Sequence, residues 1–221
     1  IFYMIMYIVV ANLLYNVGKI LRRFSMDRCS WCCDGGIVQK YHDEEWGIPL
    51  HDDRKHFEYI SMEVMQCGLN WTMMLKKRDI FRKCFADFDF HQIAKYSEQD
   101  IIRIMNEEGM IKSRRKIEAV IGNAKAFLRI IEEFGSFDKY IWSYSNYESL
   151  IYVKHHNGQG EVRNALSDQI SKDLKKRGFK YLGSITVFSH LQACGIINDH
   201  SPQCYMYGKL IHMGNVRYIN D

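Results

Sequence analysis

The residues best suited to chemistry lie in one stretch, where an acidic side chain, Glu63, is followed by Gly68 and Trp71. Read as a helix from about Asp53, the stretch carries apolar residues at helical spacing, and Glu63 falls on the margin of that apolar face. Because a carboxylate there is partly desolvated, its pKa should rise unless a cation or a hydrogen-bond donor meets it. Gly68 allows the helix to end or bend. We expect Glu63 and Trp71 to form a pocket for a flat ring that is cationic or can hydrogen-bond.

Taken alone, this stretch has a simpler interpretation. A glutamate on a helix margin is more often solvated or salt-bridged, and a tryptophan beside it is more often part of the core. The rest of the chain must decide between the two interpretations.

Cysteine and histidine residues near the two ends of the chain form a second candidate site. Cys29 and His42 precede the acidic stretch, whereas His200 and Cys204 follow it. Together they make a Cys₂His₂ set, the composition of a structural zinc site. Such a site would join two distant segments, so that metal binding would stabilise the fold. Cys29 and Cys32 also have a ligand spacing of their own, and buried thiols with core histidines explain the same residues about as well.

Aromatic residues lie among these candidate ligands. Tyr41, Trp46 and Trp31 are expected to pack as a small core around the metal site, which is the usual arrangement. They could also line a pocket in which a nucleobase stacks between aromatic faces.

The elements that must position these residues are mainly helices. The chain has 221 residues, 47% of them hydrophobic, and only two prolines, which suits one domain with a substantial core. Helical periodicity dominates and alternating strands are scarce, so we predict an all-α fold. Short helices are expected over 79–85, 90–96 and 137–142. A capping box at Ser97 and Asp100 should open another helix that Gly109 ends, and a long amphipathic helix should stop at Gly135.

Two further helices flank a glycine-containing turn. We expect Ser167 to cap the first and Ser184 to cap the second, with Gly178, Lys180 and Gly183 between them. The exposed backbone N–H groups of such a helix-hairpin-helix, together with the following helix N-terminus, can hold a phosphate without reading base sequence. The alternative is an ordinary αα-hairpin.

Charge and cysteine content add two constraints. The net charge is +4, and basic residues cluster at 76–83, 112–116 and 172–180. These clusters could follow phosphates, although any one of them could be a solvated helix face. The seven cysteines are an odd number, which favours metal-bound or free thiols in a reducing compartment, the cytoplasm.

The first 25 residues differ from the rest. Residues 1–18 carry no charge and are followed by basic residues, the reverse of the order in a signal peptide. The apolar run is borderline for a membrane span, which needs about 20 residues, and two asparagines interrupt it. We therefore interpret 1–25 as an apolar extension of unknown role and 26–221 as the functional domain, with a membrane-tethered adaptor as a less favoured possibility.

An ordered set of motifs resembles bacterial 3-methyladenine DNA glycosylase I, a constitutive member of the helix-hairpin-helix superfamily. The resemblance runs from about Met26 to Cys204. The motifs are MDRCSW at 26–31, YHDEEWG at 41–47, Glu63 with GLNW at 68–71, LKKR at 75–78, LKKRGFK at 174–180, and QACG at 192–195 with NDH at 198–200. Each motif alone is modest, but the ordered set is highly specific.

The resemblance implies a helix-hairpin-helix glycosylase fold in which a structural zinc ion joins the N- and C-terminal segments. It implies zinc ligands at Cys29, His42, His200 and Cys204, a base pocket of Glu63, Tyr41 and Trp46 with Trp71 stacking on the flipped ring, and phosphate contacts at Gly178, Lys180, Gly183 and Ser184. Two positions depart from the family pattern, because Val64 and Cys67 stand where small residues are expected. Both could narrow the pocket or shift the helix.

The implied activity is hydrolysis of the N-glycosidic bond of 3-methyladenine in alkylated double-stranded DNA, by base flipping and without strand cleavage. The protein would be a monomer with no stable protein partner and no membrane. Asp199 could activate water, but we expect it to support its neighbour His200 at the zinc site. The alternative function is a zinc-stabilised DNA-binding module without catalysis, which would bind DNA with steep salt dependence and release no base.

Overall fold

The structure is a computed structural model that describes residues 27–32, 35–157 and 160–220. The apolar extension predicted over 1–25 and the domain start at residue 26 lie outside these residues. The α-helices are α1 Gly36–Glu44, α2 Asp53–Gln66, α3 Trp71–Lys76, α4 Arg78–Cys84, α5 Phe90–Ile93, α6 Glu98–Asn106, α7 Arg114–Phe134, α8 Phe137–Ser143, α9 Ala165–Lys176, α10 Ser184–Ala193 and α11 Tyr205–Leu210. Short 3₁₀ turns lie at Ser30–Cys32, Ala86–Phe88 and Val153–Asn157.

Two short strands make the fold mostly helical rather than all-α. The strands β1 Ser149–Tyr152 and β2 Val216–Ile219 pair in parallel, so that Ser149 lies opposite Val216. This sheet is a correction to the sequence prediction. Each strand has four residues, which is too short for an alternating pattern to stand out.

The long helix α7 organises the core. It packs against α2, α5, α6 and α8, and its buried face includes Ile117, Val120 and Phe127. Gly135 ends it as predicted, in the left-handed conformation with φ of 85°. The capping box at Ser97 and Asp100 is also confirmed, although α6 ends before Gly109.

Helix α2 lies at the centre of the protein, and every residue from His56 to Met65 is buried. It contacts both α7 and α10. Its start at Asp53 agrees with the prediction, because Asp52 caps the helix by accepting a 2.7 Å hydrogen bond from the Lys55 N–H. A helix buried on this scale is a rigid support for any side chain that it carries.

Helices α9 and α10 pack against each other across the predicted turn, but their first residues differ from the prediction. Asn164, not Ser167, caps α9. The Asn164 side chain accepts from the Ser167 N–H, and the Ser167 hydroxyl oxygen accepts from the Asn164 N–H, both at 2.9 Å. Gly183 occupies the N-cap of α10 with no side-chain hydrogen bond, so Ser184 is the first helical residue rather than the cap.

Within the described residues, we find no helix with the length and apolar character that crossing a membrane would require.

Candidate active site

The end of α2 and the start of α3 bring Glu63 and Trp71 together. Gly68 adopts a φ of 81°, in the left-handed region, which lets the chain reverse just after α2. Asn70 then caps α3 by accepting a 2.9 Å hydrogen bond from the Met73 N–H, and Trp71 is the first residue of that helix. The carboxylate and the indole therefore meet because two helix termini meet.

A lysine from α7 secures this junction. The Lys116 ammonium donates 2.7 Å hydrogen bonds to the backbone carbonyls of Met65 and Cys67. These carbonyls lack intrahelical partners, and a positive charge at a helix C-terminus is favourable. Partial burial lowers the pKa of Lys116. The contact fixes the last turn of α2, which carries Glu63.

Helices α1, α2, α3 and α10, together with Trp31 and Trp46, surround a cavity of about 200 Å³. Its lining residues are Trp31, Tyr41, Trp46, Glu63, Gln66, Trp71, Ser189 and Gln192. All four side chains of the predicted base pocket are among them. Pockets for drug-sized ligands usually measure about 300–1,000 Å³, so this cavity suits a single flat ring system.

The aromatic walls leave flat surfaces and one unused donor. The rings of Tyr41 and Trp71 lie 5.5 Å apart at 54°, and those of Trp31 and Trp46 lie 5.0 Å apart at 78°. The indole N–H of Trp71 is buried without a hydrogen-bond partner among the described residues. Since an unsatisfied buried donor is costly, this N–H favours a bound polar group.

Glu63 is the acidic wall of the cavity, and only 6% of it is exposed. Burial raises the pKa of Glu63 to about 8, and among the described residues no charged neighbour or hydrogen bond offsets that rise. The sequence prediction of a raised pKa is therefore confirmed. In the free protein the Glu63 side chain is largely a neutral acid at pH 7, and a cationic ring entering the cavity would favour its ionisation.

The two departures from the family pattern do not line the cavity. Val64 is fully buried in the hydrophobic core. Cys67 is half-buried, and its thiol donates to the backbone carbonyl of Glu63 at 3.5 Å. The expectation that both residues narrow the pocket is therefore not met by the lining of the cavity.

The four predicted metal ligands form a second buried group. The ligand atoms of Cys29, His42, His200 and Cys204 all lie within 4.8 Å of one another. His200 Nδ1 is 3.5 Å from both thiol sulfurs, and His42 Nε2 is 3.4 Å from the Cys204 sulfur. Zinc bonds of about 2.3 Å to sulfur and 2.0–2.1 Å to nitrogen give a sulfur–nitrogen separation of about 3.5 Å in a tetrahedron. The donor set therefore fits a zinc ion.

Outer hydrogen bonds set the tautomers of both histidines. His42 Nδ1–H donates to Asp43 at 2.8 Å, and His200 Nε2–H donates to the Trp46 carbonyl at 3.1 Å, so each remaining nitrogen lone pair faces the thiols. Arg28 pairs with Asp43 at 2.9 Å and holds the pKa of that carboxyl well below its usual range. This arrangement of acceptors is typical of metal-binding histidines.

The structure does not support the alternative ligand spacing that includes Cys32, and it corrects the prediction for Asp199. The Cys32 thiol donates to the Cys29 carbonyl at 3.0 Å and lies outside the four-residue group. The Asp199 carboxylate does not hydrogen-bond His200 but binds His155 and Gln192.

The turn between α9 and α10 is held by a buried amide. Asn123 of α7 accepts a 2.8 Å hydrogen bond from the Lys180 N–H and donates to the Lys180 carbonyl at 3.1 Å. The predicted phosphate-contacting residues Gly178, Lys180 and Gly183 are exposed, and Ser184 is half-buried. None of these four lines the cavity.

Helix α10 connects this turn to the cavity. It begins at Ser184 in the turn, and Ser189 and Gln192, farther along the same helix, line the cavity. At a rise of 1.5 Å per residue, the turn and the Ser189 side chain are separated by about 8 Å along the helix axis.

Three lining residues were not predicted from the sequence: Gln66, Ser189 and Gln192. The spacing of three residues between Glu63 and Gln66, and between Ser189 and Gln192, was the available signal, since it places each pair on one helix face.

Comparison with known proteins identifies the family. The sequence model of the family described as methyladenine glycosylase matches residues 31–207, which include all residues lining the cavity and three of the four candidate metal ligands, His42, His200 and Cys204. The chain belongs to this family. It is 40% identical over 182 residues to DNA-3-methyladenine glycosylase 1 of Escherichia coli, covering 82% of this chain and 97% of that protein. It is 38% identical over 177 residues to DNA-3-methyladenine glycosylase of Haemophilus influenzae, covering 80% and 96%.

Solved structures of methyladenine glycosylases have the same fold. A crystal structure of 3-methyladenine DNA glycosylase I matches with a TM-score of 0.75 at 39% identity, covering 81% of this chain and 98% of that one. The Staphylococcus aureus enzyme, solved for its recognition of 3-methyladenine, matches with a TM-score of 0.77 at 35% identity, covering 82% and 96%. A variant of 3-methyladenine DNA glycosylase I in complex with 3-methyladenine also matches, with a TM-score of 0.77 at 35% identity, covering 81% and 97%.

Proposed function

We propose that this methyladenine glycosylase hydrolyses the N-glycosidic bond of 3-methyladenine in alkylated DNA, as the first step of base-excision repair. The observation that carries the proposal is the unpaired, 94% buried carboxyl group of Glu63 in a small aromatic cavity. A purely structural pocket would pair or exclude such a group, because an unpaired buried carboxylate is costly. A cationic purine supplies the missing partner.

The chemistry of the substrate explains why one carboxyl group is enough. Methylation at N3 leaves adenine positively charged while it is attached to the sugar, so the glycosidic bond is already weak. The enzyme must extrude the nucleotide, recognise the ring and admit water. Glu63 can accept hydrogen bonds from the adenine amine, and its ionised form attracts the cation. Tyr41, Trp46 and Trp71 supply stacking and cation–π attraction.

Strand cleavage is not part of the proposed reaction. A bifunctional glycosylase needs an amine nucleophile in the pocket to form a Schiff base. In the part of the chain that the structure describes, the residues that line the cavity include no lysine. The reaction therefore ends at an abasic site with an intact sugar–phosphate backbone.

The turn between α9 and α10 is proposed to be a helix-hairpin-helix that holds the DNA backbone. Gly178, Lys180, Gly183 and Ser184 are its predicted phosphate contacts, and Asn123 fixes the backbone of the turn from behind. Phosphate contacts of this kind fix the position of the protein without reading sequence. Because α10 continues into the cavity wall, binding of the backbone would place the flipped nucleotide near Glu63.

The Cys29, His42, His200 and Cys204 group is proposed to hold a structural zinc ion that joins the first and last segments of the domain. The lone pairs of both histidines face the thiols, which supports this assignment. Bound zinc would stabilise the fold and take no part in hydrolysis, because four protein ligands leave no open position. A reducing compartment, the cytoplasm, would keep these thiols available.

The test is incubation of the purified protein with DNA methylated by dimethyl sulfate, followed by chromatography of the released bases. We expect free 3-methyladenine, and gel electrophoresis should show an intact strand until the abasic sites are cleaved by alkali. Binding to the DNA without any released base would contradict the proposal and indicate the non-catalytic DNA-binding module instead.

A further inference from the structure

A glutamine outside the predicted site completes the cavity wall. Gln192 lies on α10, and its side chain separates the base cavity from a neighbouring groove that contains Asp199 and His155. The amide nitrogen of Gln192 donates to Asp199 Oδ2 at 2.6 Å. A glutamine amide has a donor and an acceptor end, so a bond at one end leaves the other end for the cavity.

The partner of Gln192 fixes which end that is. An ionised aspartate only accepts hydrogen bonds, so Gln192 must present its NH₂ group to Asp199 and not its oxygen. The amide orientation is therefore set by the chemistry of the pair. His155 Nδ1–H donates to the other oxygen of Asp199 at 2.9 Å, and the His155 side chain is only 3% exposed. His155 therefore fixes the position of the Asp199 carboxylate, and Asp199 fixes the orientation of the Gln192 amide.

From this chain of contacts we infer that Gln192 presents a fixed acceptor to the base cavity and selects 3-methyladenine against 3-methylguanine. Adenine carries a donor, the amine, at C6, whereas guanine carries an acceptor, the carbonyl oxygen O6. A Gln192 oxygen that Asp199 holds in place can accept a hydrogen bond from the adenine amine, whereas it repels guanine O6. The inference rests on the proposed function, since it names a specificity determinant of the same cavity.

Glu63 is less suited to this discrimination than Gln192. Its ionised form attracts the positive charge of the ring, and both 3-methyladenine and 3-methylguanine carry that charge while they are attached to the sugar. The charge of Glu63 therefore does not distinguish the two bases, whereas the Gln192 amide offers only its oxygen while its NH₂ group is bound to Asp199. A site that offers only an acceptor penalises a ligand that needs a donor, because both polar groups are then left unpaired.

Two substitutions test separately the hydrogen bond that fixes the Gln192 amide and the acceptor oxygen of Gln192. Asp199→Asn keeps the size of the side chain and can still accept from His155, but its own amide can donate to the Gln192 oxygen. The Gln192 amide is then free to turn its NH₂ group towards the cavity. Gln192→Leu removes the acceptor altogether. Gln99→Leu is the matched control, because Gln99 is an exposed glutamine on α6, outside the cavity.

The experiment measures both released bases from one sample of dimethyl sulfate-treated DNA, which contains 3-methyladenine and 3-methylguanine. The ratio of their release rates does not depend on the fraction of active protein, so a partial loss of folding cannot imitate the effect. We expect this ratio to fall by about 10- to 100-fold in Asp199→Asn and in Gln192→Leu, and to stay unchanged in Gln99→Leu. In Asp199→Asn the fall should come from faster release of 3-methylguanine.

Zinc content and thermal unfolding are measured for each variant, because Asp199 is next to a predicted metal ligand. Release of 3-methyladenine with the parental ratio in both variants would overturn this inference and leave the proposed function intact. A parental protein that releases both bases at similar rates would also overturn it. Release of neither base by the parental protein would refute the proposed function itself and the inference with it.

Discussion

Replacing Glu63 with glutamine should make the protein more stable at neutral pH while it abolishes base excision. Glu63 has a pKa of about 8 in the folded protein, compared with 4.5 for an ordinary glutamate. Between these two values the unfolded chain loses a proton that the folded protein keeps. Unfolding therefore releases a proton, and the free energy of unfolding falls as the pH rises from about 4.5 to 8.

The size of the effect follows from the same two values. Each pH unit in that window costs about 1.4 kcal/mol of stability. At pH 7 the total is about 3 kcal/mol, and at pH 8, where half of the folded protein has also lost the proton, it is about 4 kcal/mol. Solvent screens little of this effect, because Glu63 is only 6% exposed. Glu63→Gln cannot ionise, so it lacks this loss while preserving the shape of the side chain.

The assay is urea denaturation of the parental protein and Glu63→Gln at pH 5, 6, 7 and 8. We expect the two free energies of unfolding to be close at pH 5 and to diverge steadily above it, with the variant more stable. Glu132→Gln is the control, since Glu132 is exposed on α7 and should show no divergence. Parallel pH curves for the parental protein and Glu63→Gln would refute the reasoning, because they would show that Glu63 is not desolvated in the folded protein.

Two further predictions concern the other buried groups. Purified protein should contain about one zinc ion per chain, and Cys204→Ser should lose the metal and several kcal/mol of stability. The control variant Cys67→Ser should keep the metal. Metal analysis that finds no zinc in the parental protein would rule out the zinc site. Burial and the nearby His56 hold the pKa of His190 well below its ordinary value of 6.5, so the unfolded chain takes up a proton below pH 6.5 that the folded protein does not. Between pH 7.5 and 5.5, His190→Phe should therefore lose about 1.4 kcal/mol less stability than the parental protein in urea denaturation, and equal losses would disprove this contribution.

The sequence predicted those features that depend on local pattern or on residue type. Helical periodicity placed α2 from Asp53 and put Glu63 beside an apolar face, although the structure buries every residue of the helix from His56 to Met65. The Cys₂His₂ composition selected four residues that the structure brings together. In both cases the deciding information lies in the residues themselves, in their spacing or in the small number of side chains able to bind a soft metal ion.

Features that depend on packing between distant elements were not predicted. Gln192 reaches the cavity because α10 packs against α2, and the spacing of Ser189 and Gln192 shows only that they share a helix face, not that this face meets α2. Asp199 was assigned to its neighbour His200, yet it binds His155, which the pairing of Leu150 with Ile197 brings close. The N-cap of α9 was misassigned because Asn164, three residues before Ser167, begins the helix. The N-cap of α10 was misassigned because Gly183 occupies that position without a capping side chain.

The central claim is that Glu63 and the aromatic walls act on the damaged base rather than on the DNA backbone. Its most direct test is the single-turnover rate of 3-methyladenine release by Glu63→Ala and Trp71→Ala, measured beside their affinity for the same methylated DNA. We expect both release rates to fall at least 100-fold while the affinity changes by less than about threefold. Release at the parental rate by both variants would show that the base is bound and hydrolysed elsewhere.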